Sequence, residues 1–158
     1  MGSEMCIRDS IYTSGSTGQP KGVRISHCSV VNFLTSMMNA PGFSSADRIL
    51  ALTTISFDIS VLEICLPLLA GDQMLLASRE DAYEPRRIID YLDRYDLTMM
   101  QATPSTYRML LEYGWRGRAQ LQVNCGGEAL TSDLVSRLLP TCKSVWNMYG
   151  PTEVTVCT

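Results

Sequence analysis

The sequence predicts an α/β fold, a mostly parallel sheet flanked by helices, on three observations. Short apolar runs alternate with helical segments of about 10–15 residues, the pattern of parallel βαβ units. Hydrophobic residues make up 46% of the 158 and charged residues 18%, which suits a packed chain rather than a disordered one. Glycine-rich or polar turns follow several apolar runs, and ligands of open parallel sheets sit beyond the carboxyl ends of strands. The length allows one domain with its own core.

In chain order, residues 1–10 (MGSEMCIRDS) show no periodicity and are read as a cloning or assembly scar, so the domain reading covers 11–158. Ser26 is placed to cap a helix to about residue 39, with Val30, Val31, Leu34 and Met37 or Met38 on one face. Ala40-Pro41-Gly42 stops it. Residues 48–54 read as a short buried strand. Phe57-Asp58-Ile59-Ser60 then leads into a helix to about residue 70, with Ser60 and Glu63 at capping-box spacing and Gly71 as its stop. Residues 73–77 read as a strand. Glu84-Pro85 opens a helix with Ile88, Leu92 and Tyr95 as its stripe. Residues 97–102, 121–125 and 144–148 read as strands, separated by helices from Pro104 to about 113 and over 131–139. Repeats and low-complexity tracts are absent.

Bulk properties exclude several partners. A net charge of −3 gives no reason to expect nucleic acid or an anionic membrane. The longest apolar run, 64–70, is far shorter than a membrane span and contains Pro67. No signal-peptide pattern is present. The six cysteines (Cys6, Cys28, Cys65, Cys125, Cys142, Cys157) form no C-x-x-C and lie among apolar residues, as expected of buried thiols in a reducing, cytoplasmic setting. With one histidine, a zinc site is not expected.

Residues 11–23, I-Y-T-S-G-S-T-G-Q-P-K-G-V, hold three glycines, five hydroxyl side chains, one proline and one lysine. Gly15, Gly18 and Gly22 can take positive φ and let the backbone approach an anion. Thr13, Ser14, Ser16 and Thr17 can donate to phosphate oxygens, and Lys21 can add a point charge. The Walker A pattern is absent, since Lys21 sits between Pro20 and Gly22. A flexible Gly/Ser spacer is the alternative; the lysine, the proline and the apolar flanks argue against it. A second signal is residues 147–153, N-M-Y-G-P-T-E. Gly150-Pro151 makes a tight turn at a strand end and presents Thr152 beside Glu153, a hydroxyl and a carboxylate able to hold a phosphate oxygen and Mg²⁺. An ordinary surface turn is the alternative.

T-S-G-S-T-G-Q-P-K-G, F-D-I-S, G-G-E-A-L and N-M-Y-G-P-T-E, in this order and spacing, resemble the adenylate-forming (AMP-binding) superfamily. Within it they resemble the amino-acid adenylation domains of nonribosomal peptide synthetases. The first and last motifs are the more specific. The resemblance implies that residues 13–21 form a loop over the β,γ-phosphates of ATP. Gly126, Gly127 and Glu128 would line the adenine face, Asn147 would bond the adenine amino group, and Tyr149, ahead of the Gly150 turn, would stack on the ring. Thr152 would contact the α-phosphate and Glu153 would hold Mg²⁺. Lys21, Thr152 and Glu153 are therefore the candidates for catalytic roles.

By the same resemblance Asp58 would pair with the α-ammonium of an amino acid; simple capping of the following helix is the alternative. The side-chain pocket would be lined by Ile59, Leu62, Gln101 or Ala102, Asn124, Gly126, Met148, Val156 and Cys157, with core packing as the alternative for the apolar members. Its mostly apolar lining favours a small or aliphatic amino acid. His27, beside the loop, is expected to be a packing or pocket-edge residue, because a carboxylate ionised at neutral pH needs no base.

The resemblance further implies a fragment of the large N-terminal subdomain of an adenylate-forming enzyme. The ribose-binding aspartate, the hinge and the small C-terminal subdomain with its lysine have no counterpart here. The chain is expected to be inactive alone and poorly soluble. Carrier-protein and condensation domains of the parent synthetase are the implied partners, with phosphopantetheine on the separate carrier domain. The alternatives are an aryl- or acyl-CoA ligase, for which Asp58 is the discriminator, and a nucleotide-binding module without turnover.

Overall fold

The computed structural model describes residues 7–13, 19 and 21–150. The elements run β1 (Ile7–Thr13), β2 (Lys21–Ser26), α1 (His27–Met37), β3 (Ile49–Ala51), α2 (Ile59–Ala70), β4 (Met74–Leu76), α3 (Pro85–Arg94), β5 (Met99–Ala102), α4 (Pro104–Glu112), β6 (Arg118–Gly126), α5 (Ser132–Leu138) and β7 (Cys142–Met148). β1 and β2 form an antiparallel hairpin, and the other five strands form one parallel sheet in the order β4-β3-β5-β6-β7.

Alternation along the strands sends successive side chains to opposite faces, and each face has its own core. Ile49 and Met99 face α1, α2 and the hairpin, where Val23, Ile25, Val30, Phe33, Leu34, Val61, Leu62 and Leu66 are buried. Leu50, Met100, Val123 and Cys125 face α3, α4 and α5, packing on Ile88, Leu92, Tyr107, Leu110, Leu134 and Leu138. Each such side chain stabilises the fold by roughly 1.5–3 kcal/mol. Tyr107, wholly buried, donates its hydroxyl to the Met100 carbonyl at 2.7 Å.

The helix layers follow from strand order. From β3 the chain crosses through α2 to β4 on one side, then returns through α3 past β3 to β5 and continues away through α4 and α5. Crossovers of one hand place helices on opposite faces when the direction of stepping reverses. The reversal lies between β3 and β5. At their amino ends Thr98 joins them: its N–H donates to the Arg48 carbonyl at 2.9 Å. Its hydroxyl donates to Asp47 Oδ1 and accepts from the Arg48 N–H, both at 2.9 Å.

Several sequence expectations change. β2 was not expected; in K-G-V-R-I-S, Val23 and Ile25 are buried while Arg24 is exposed, a period-2 signal that the glycine obscured. β1 begins at Ile7, so residues 7–10 belong to the ladder, with Ile7 opposite Ser26 and Ser10 opposite Arg24. On α1 the buried face is Val30, Phe33, Leu34 and Met37, whereas Val31 is exposed. The thiols are not uniformly buried: Cys28 is exposed, Cys142 is half-buried and Cys125 is enclosed, its pKa pushed up to about 12 by burial. β4 and β7 are the sheet edges, and Leu68, Leu69 and Leu76 are exposed. Among the described residues, no helix is long and apolar enough to cross a membrane.

Candidate active site

The glycine- and hydroxyl-rich segment begins and ends inside the hairpin. Ile11 pairs with Val23, Tyr12 with Gly22 and Thr13 with Lys21, so the ladder holds the two ends of the segment side by side. Gly22, expected to take positive φ, lies in β2 instead; a Cβ there would meet the Tyr12 ring at 3.4 Å. Lys21 is exposed at the first residue of β2. Ser14, Gly15, Ser16, Thr17 and Gly18 lie outside the described residues, as do Thr152, Glu153, Val156 and Cys157. His27 is exposed at the first position of α1 and so is not a packing residue.

The reversal between β3 and β5 opens a crevice at their carboxyl ends, the expected ligand position in such a sheet. A cavity of about 320 Å³ lies there, walled by Leu52, Thr53 and Phe57 after β3 and by Gln101, Ala102 and Thr103 at the end of β5. Asp58 is the N-cap of α2, and its Oδ1 accepts from the Ile59 N–H at 2.9 Å. It is half-buried, and no ion pair within the described residues engages it. The expected Ser60–Glu63 capping box does not form. Ser60 Oγ donates to the Phe57 carbonyl, and Glu63 turns inward to accept from the Thr53 N–H at 2.8 Å and the Thr53 hydroxyl at 2.9 Å. With Asp58 already capping, Glu63 is released for this second task. Sequence reasoning missed it; the only signal was a glutamate among Val61, Leu62, Leu66 and Pro67, all buried.

On the other side of the crevice, Gly126 ends β6, and Gly127 at φ 81° occupies the left-handed region that glycine tolerates. The turn brings Glu128 to the first turn of α4, where its Oε2 accepts from the Ser105 N–H at 3.2 Å and from the Ser105 hydroxyl. A carboxylate at a helix N-terminus meets the positive end of the macrodipole. Asn147 lies opposite Cys125 in the ladder at the open edge and is exposed, as is Tyr149; Gly150 follows. The three loops therefore share the carboxyl edge of the sheet.

The residues expected to line the side-chain pocket divide by face. Gln101 shares the α2 face with Met99, Asn124 and Gly126; Ala102 packs with the α3–α5 core. A Cβ at Gly126 would lie 2.9 Å from Gln101 Nε2 and 3.2 Å from the Met148 carbonyl, so Gln101 and Met148 close directly over this glycine. Leu62 is fully buried on the same side, where Met148 packs, and Ile59 is half-buried one turn earlier. Gln101 Oε1 and both amide atoms of Asn124 are buried with no hydrogen-bond partner among the described residues. Each such atom costs about 1–3 kcal/mol unless something polar meets it. Among the described residues no cluster of three His, Cys, Asp or Glu side chains could hold a metal.

A parallel sheet flanked by helices, with turns gathered at the carboxyl ends of its strands and a switch point between β3 and β5, is an α/β architecture of the kind that binds ligands at its strand ends. The model of the AMP-binding enzyme family matches residues 10–158, and the chain belongs to that family. It is 45% identical over 148 residues to the PKS-NRPS hybrid synthetase acdB of Aspergillus candidus, covering 93% of this chain and 6% of that protein. It is also 45% identical over 146 residues to a dimodular nonribosomal peptide synthase of Bacillus subtilis (strain 168), covering 92% of this chain and 6% of the relative. Among solved structures it superposes at a TM-score of 0.91, with 42% identity, on a four-domain nonribosomal peptide synthetase bound to AMP and glycine, over 97% of this chain and 11% of that one. The chain thus spans a small part of the curated relatives it matches. It is similar throughout to nonribosomal peptide synthetase adenylation domains, and its sheet is part of their N-terminal subdomain fold.

Proposed function

We propose that this chain forms the nucleotide- and amino-acid-binding part of an adenylation domain, which in the whole enzyme joins an amino-acid carboxylate to the α-phosphate of ATP and releases pyrophosphate. The observation that carries the amino-acid branch is Asp58, a half-buried carboxylate at the start of α2 beside the crevice-lining Phe57, whose side chain takes a backbone N–H as its partner among the described residues. Its second oxygen is available to a cation, and an α-ammonium would complete it. An aryl- or acyl-CoA ligase would have no use for that charge.

The reaction asks for position and charge neutralisation rather than covalent help. Asp58 would hold the amino group so that the carboxylate points at the phosphorus. Gly126, Gly127, Asn147 and Tyr149 would receive the adenine, Glu128 bracing the turn through Ser105. The hydroxyls and glycines between Thr13 and Lys21 would meet the β,γ-phosphates, Lys21 adding charge to the departing pyrophosphate, and Thr152 would contact the α-phosphate. Glu153 would hold Mg²⁺, which when bound supplies neutralising charge at the phosphates. The aminoacyl group would then pass to the phosphopantetheine thiol of a carrier domain.

The substrate reading is a small amino acid. Gln101 closes over Gly126, and Leu62 and Met148 pack on the same α2 face, which leaves little room there for a large side chain. The 42%-identical synthetase bound to AMP and glycine supports the same size class. The test is ATP–pyrophosphate exchange by the full-length parent, scanned over amino acids and over aryl and fatty acids. Exchange with glycine or alanine well above that with phenylalanine is expected. Exchange with aryl or fatty acids alone would favour the CoA-ligase reading, and nucleotide binding without any exchange would favour a non-catalytic module.

A further inference from the structure

The segment between β3 and α2, residues 52–58, carries Phe57 into the crevice wall with Asp58 next to it in the chain, yet little apolar burial holds it. Ile55 is 78% exposed and Phe57 61% exposed. Its internal bonds are short-range: Phe57 N–H to the Thr54 carbonyl at 3.0 Å and Ser60 N–H to the Phe57 carbonyl at 3.1 Å. These bonds shape the turn without tying its β3 end to α2. Glu63 does that. It is 0% exposed, and each of its two oxygens takes one bond from Thr53, the N–H and the hydroxyl. The helix that bears Asp58 at its start thus also grips the opposite end of the same segment.

We propose that Glu63 is a positioning residue: by clamping Thr53 it fixes residues 52–58 against α2, and so fixes where Phe57 stands in the crevice wall and where Asp58 stands beside it at the start of α2. The ion pairs among the described residues do not involve it. Burial raises its carboxyl to about 7, so the clamp acts by hydrogen-bond geometry and not by a stable charge. A neutral group of the same shape should serve. In Glu63→Gln the amide oxygen can accept from the Thr53 N–H while the NH₂ donates to the Thr53 hydroxyl.

The inference about substrate rests on the proposed function; the clamp itself does not. In the full-length parent, hydrogen–deuterium exchange of peptides covering residues 52–58 is compared for wild type, Glu63→Met and Glu63→Gln, with glycine and ATP as the kinetic probes in pyrophosphate exchange. Glu63→Met, which fills the volume without accepting bonds, is expected to speed exchange in 52–58 and to raise the glycine KM about tenfold. The KM for ATP and kcat stay unchanged, and Glu63→Gln restores both readouts. Unchanged exchange and KM in Glu63→Met would overturn the proposal, as would parallel loss of glycine and ATP affinity or a Gln variant no better than Met. Should Glu63→Met not fold, Thr53→Val removes the hydroxyl from the segment side; it is expected to shift both readouts in the same direction by less, and no shift sinks the clamp. If wild type exchanges pyrophosphate with no amino acid, the functional reading fails while the deuterium measurement still decides Glu63.

Discussion

Two carboxylates on one helix meet opposite surroundings, and the difference is measurable. Asp58 stands half-buried at the helix start, while Glu63 is enclosed, its pKa raised from 4.5 to about 7 by desolvation against the opposing bonds from Thr53 and Leu52. The folded state therefore holds a proton on Glu63 that the unfolded chain has already lost between pH 4.5 and 7. Stability from this group is full below the unfolded value and is lost as pH rises through about 7. The loss amounts to about 3 kcal/mol at most. Glu63→Gln removes this titration, so urea unfolding of wild type minus variant should fall between pH 4.5 and 8. A difference that is flat, or that grows with pH, would contradict the burial argument. The same scale shows how one position decides a site. Gln101 and Ala102 are adjacent in sequence, but the pleat sends them to opposite cores, and motif spacing alone left both open.

At the scale of elements, the two readings of Asp58 separate cleanly. As the cap of α2 it satisfies the Ile59 N–H through one oxygen, so capping and the proposed recognition of an ammonium group are compatible. Asp58→Ala should cost about 1 kcal/mol of stability through the lost cap. Asp58→Asn should keep the cap and the stability yet lose amino-acid-dependent exchange as fully as Ala does. An Asn variant that activates amino acids like wild type would leave Asp58 as a cap alone. The helices were legible because their signals are local: Ser26, Thr103 and Thr131 cap, Pro85 and Pro104 open, and Gly71 at φ 78° closes. The hairpin was not, because three glycines in residues 11–23 read as loop and hid the alternation of Val23 and Ile25. Strand lengths were also misjudged. The apolar run at 48–54 contributes only Ile49–Ala51 to the sheet, since its last residues leave the ladder to build the crevice wall.

Across the whole molecule, fold class and strand succession could be read from the sequence, whereas strand order could not. Periodicity reports which residues are apolar and how often, not which strand becomes whose neighbour. The Glu128–Ser105 contact was equally hidden, because it joins residues brought together by a crossover, and the Glu63–Thr53 contact because it needs the turn between β3 and α2 to fold Thr53 back onto the helix. Strand order also separates the sheet into parts of unequal reach. β5, β6 and β7 pair consecutively, but β3 meets β5 only after the chain has passed through α2, β4 and α3. The Thr98–Arg48 bonds span 50 positions. Closing so long a segment costs entropy before its contacts can repay it. The β5–β6–β7 half is therefore expected to assemble early and β3 to join late. Thr98→Val, which removes the bonds to Asp47 and Arg48, should speed unfolding in stopped-flow experiments while leaving the refolding rate nearly unchanged; slower refolding with unaltered unfolding would place this junction in the nucleus instead. On that order of assembly the crevice is a seam that closes last. A ligand lodged in it can be recognised only by a finished domain, and binding becomes a report on whether folding has run to completion.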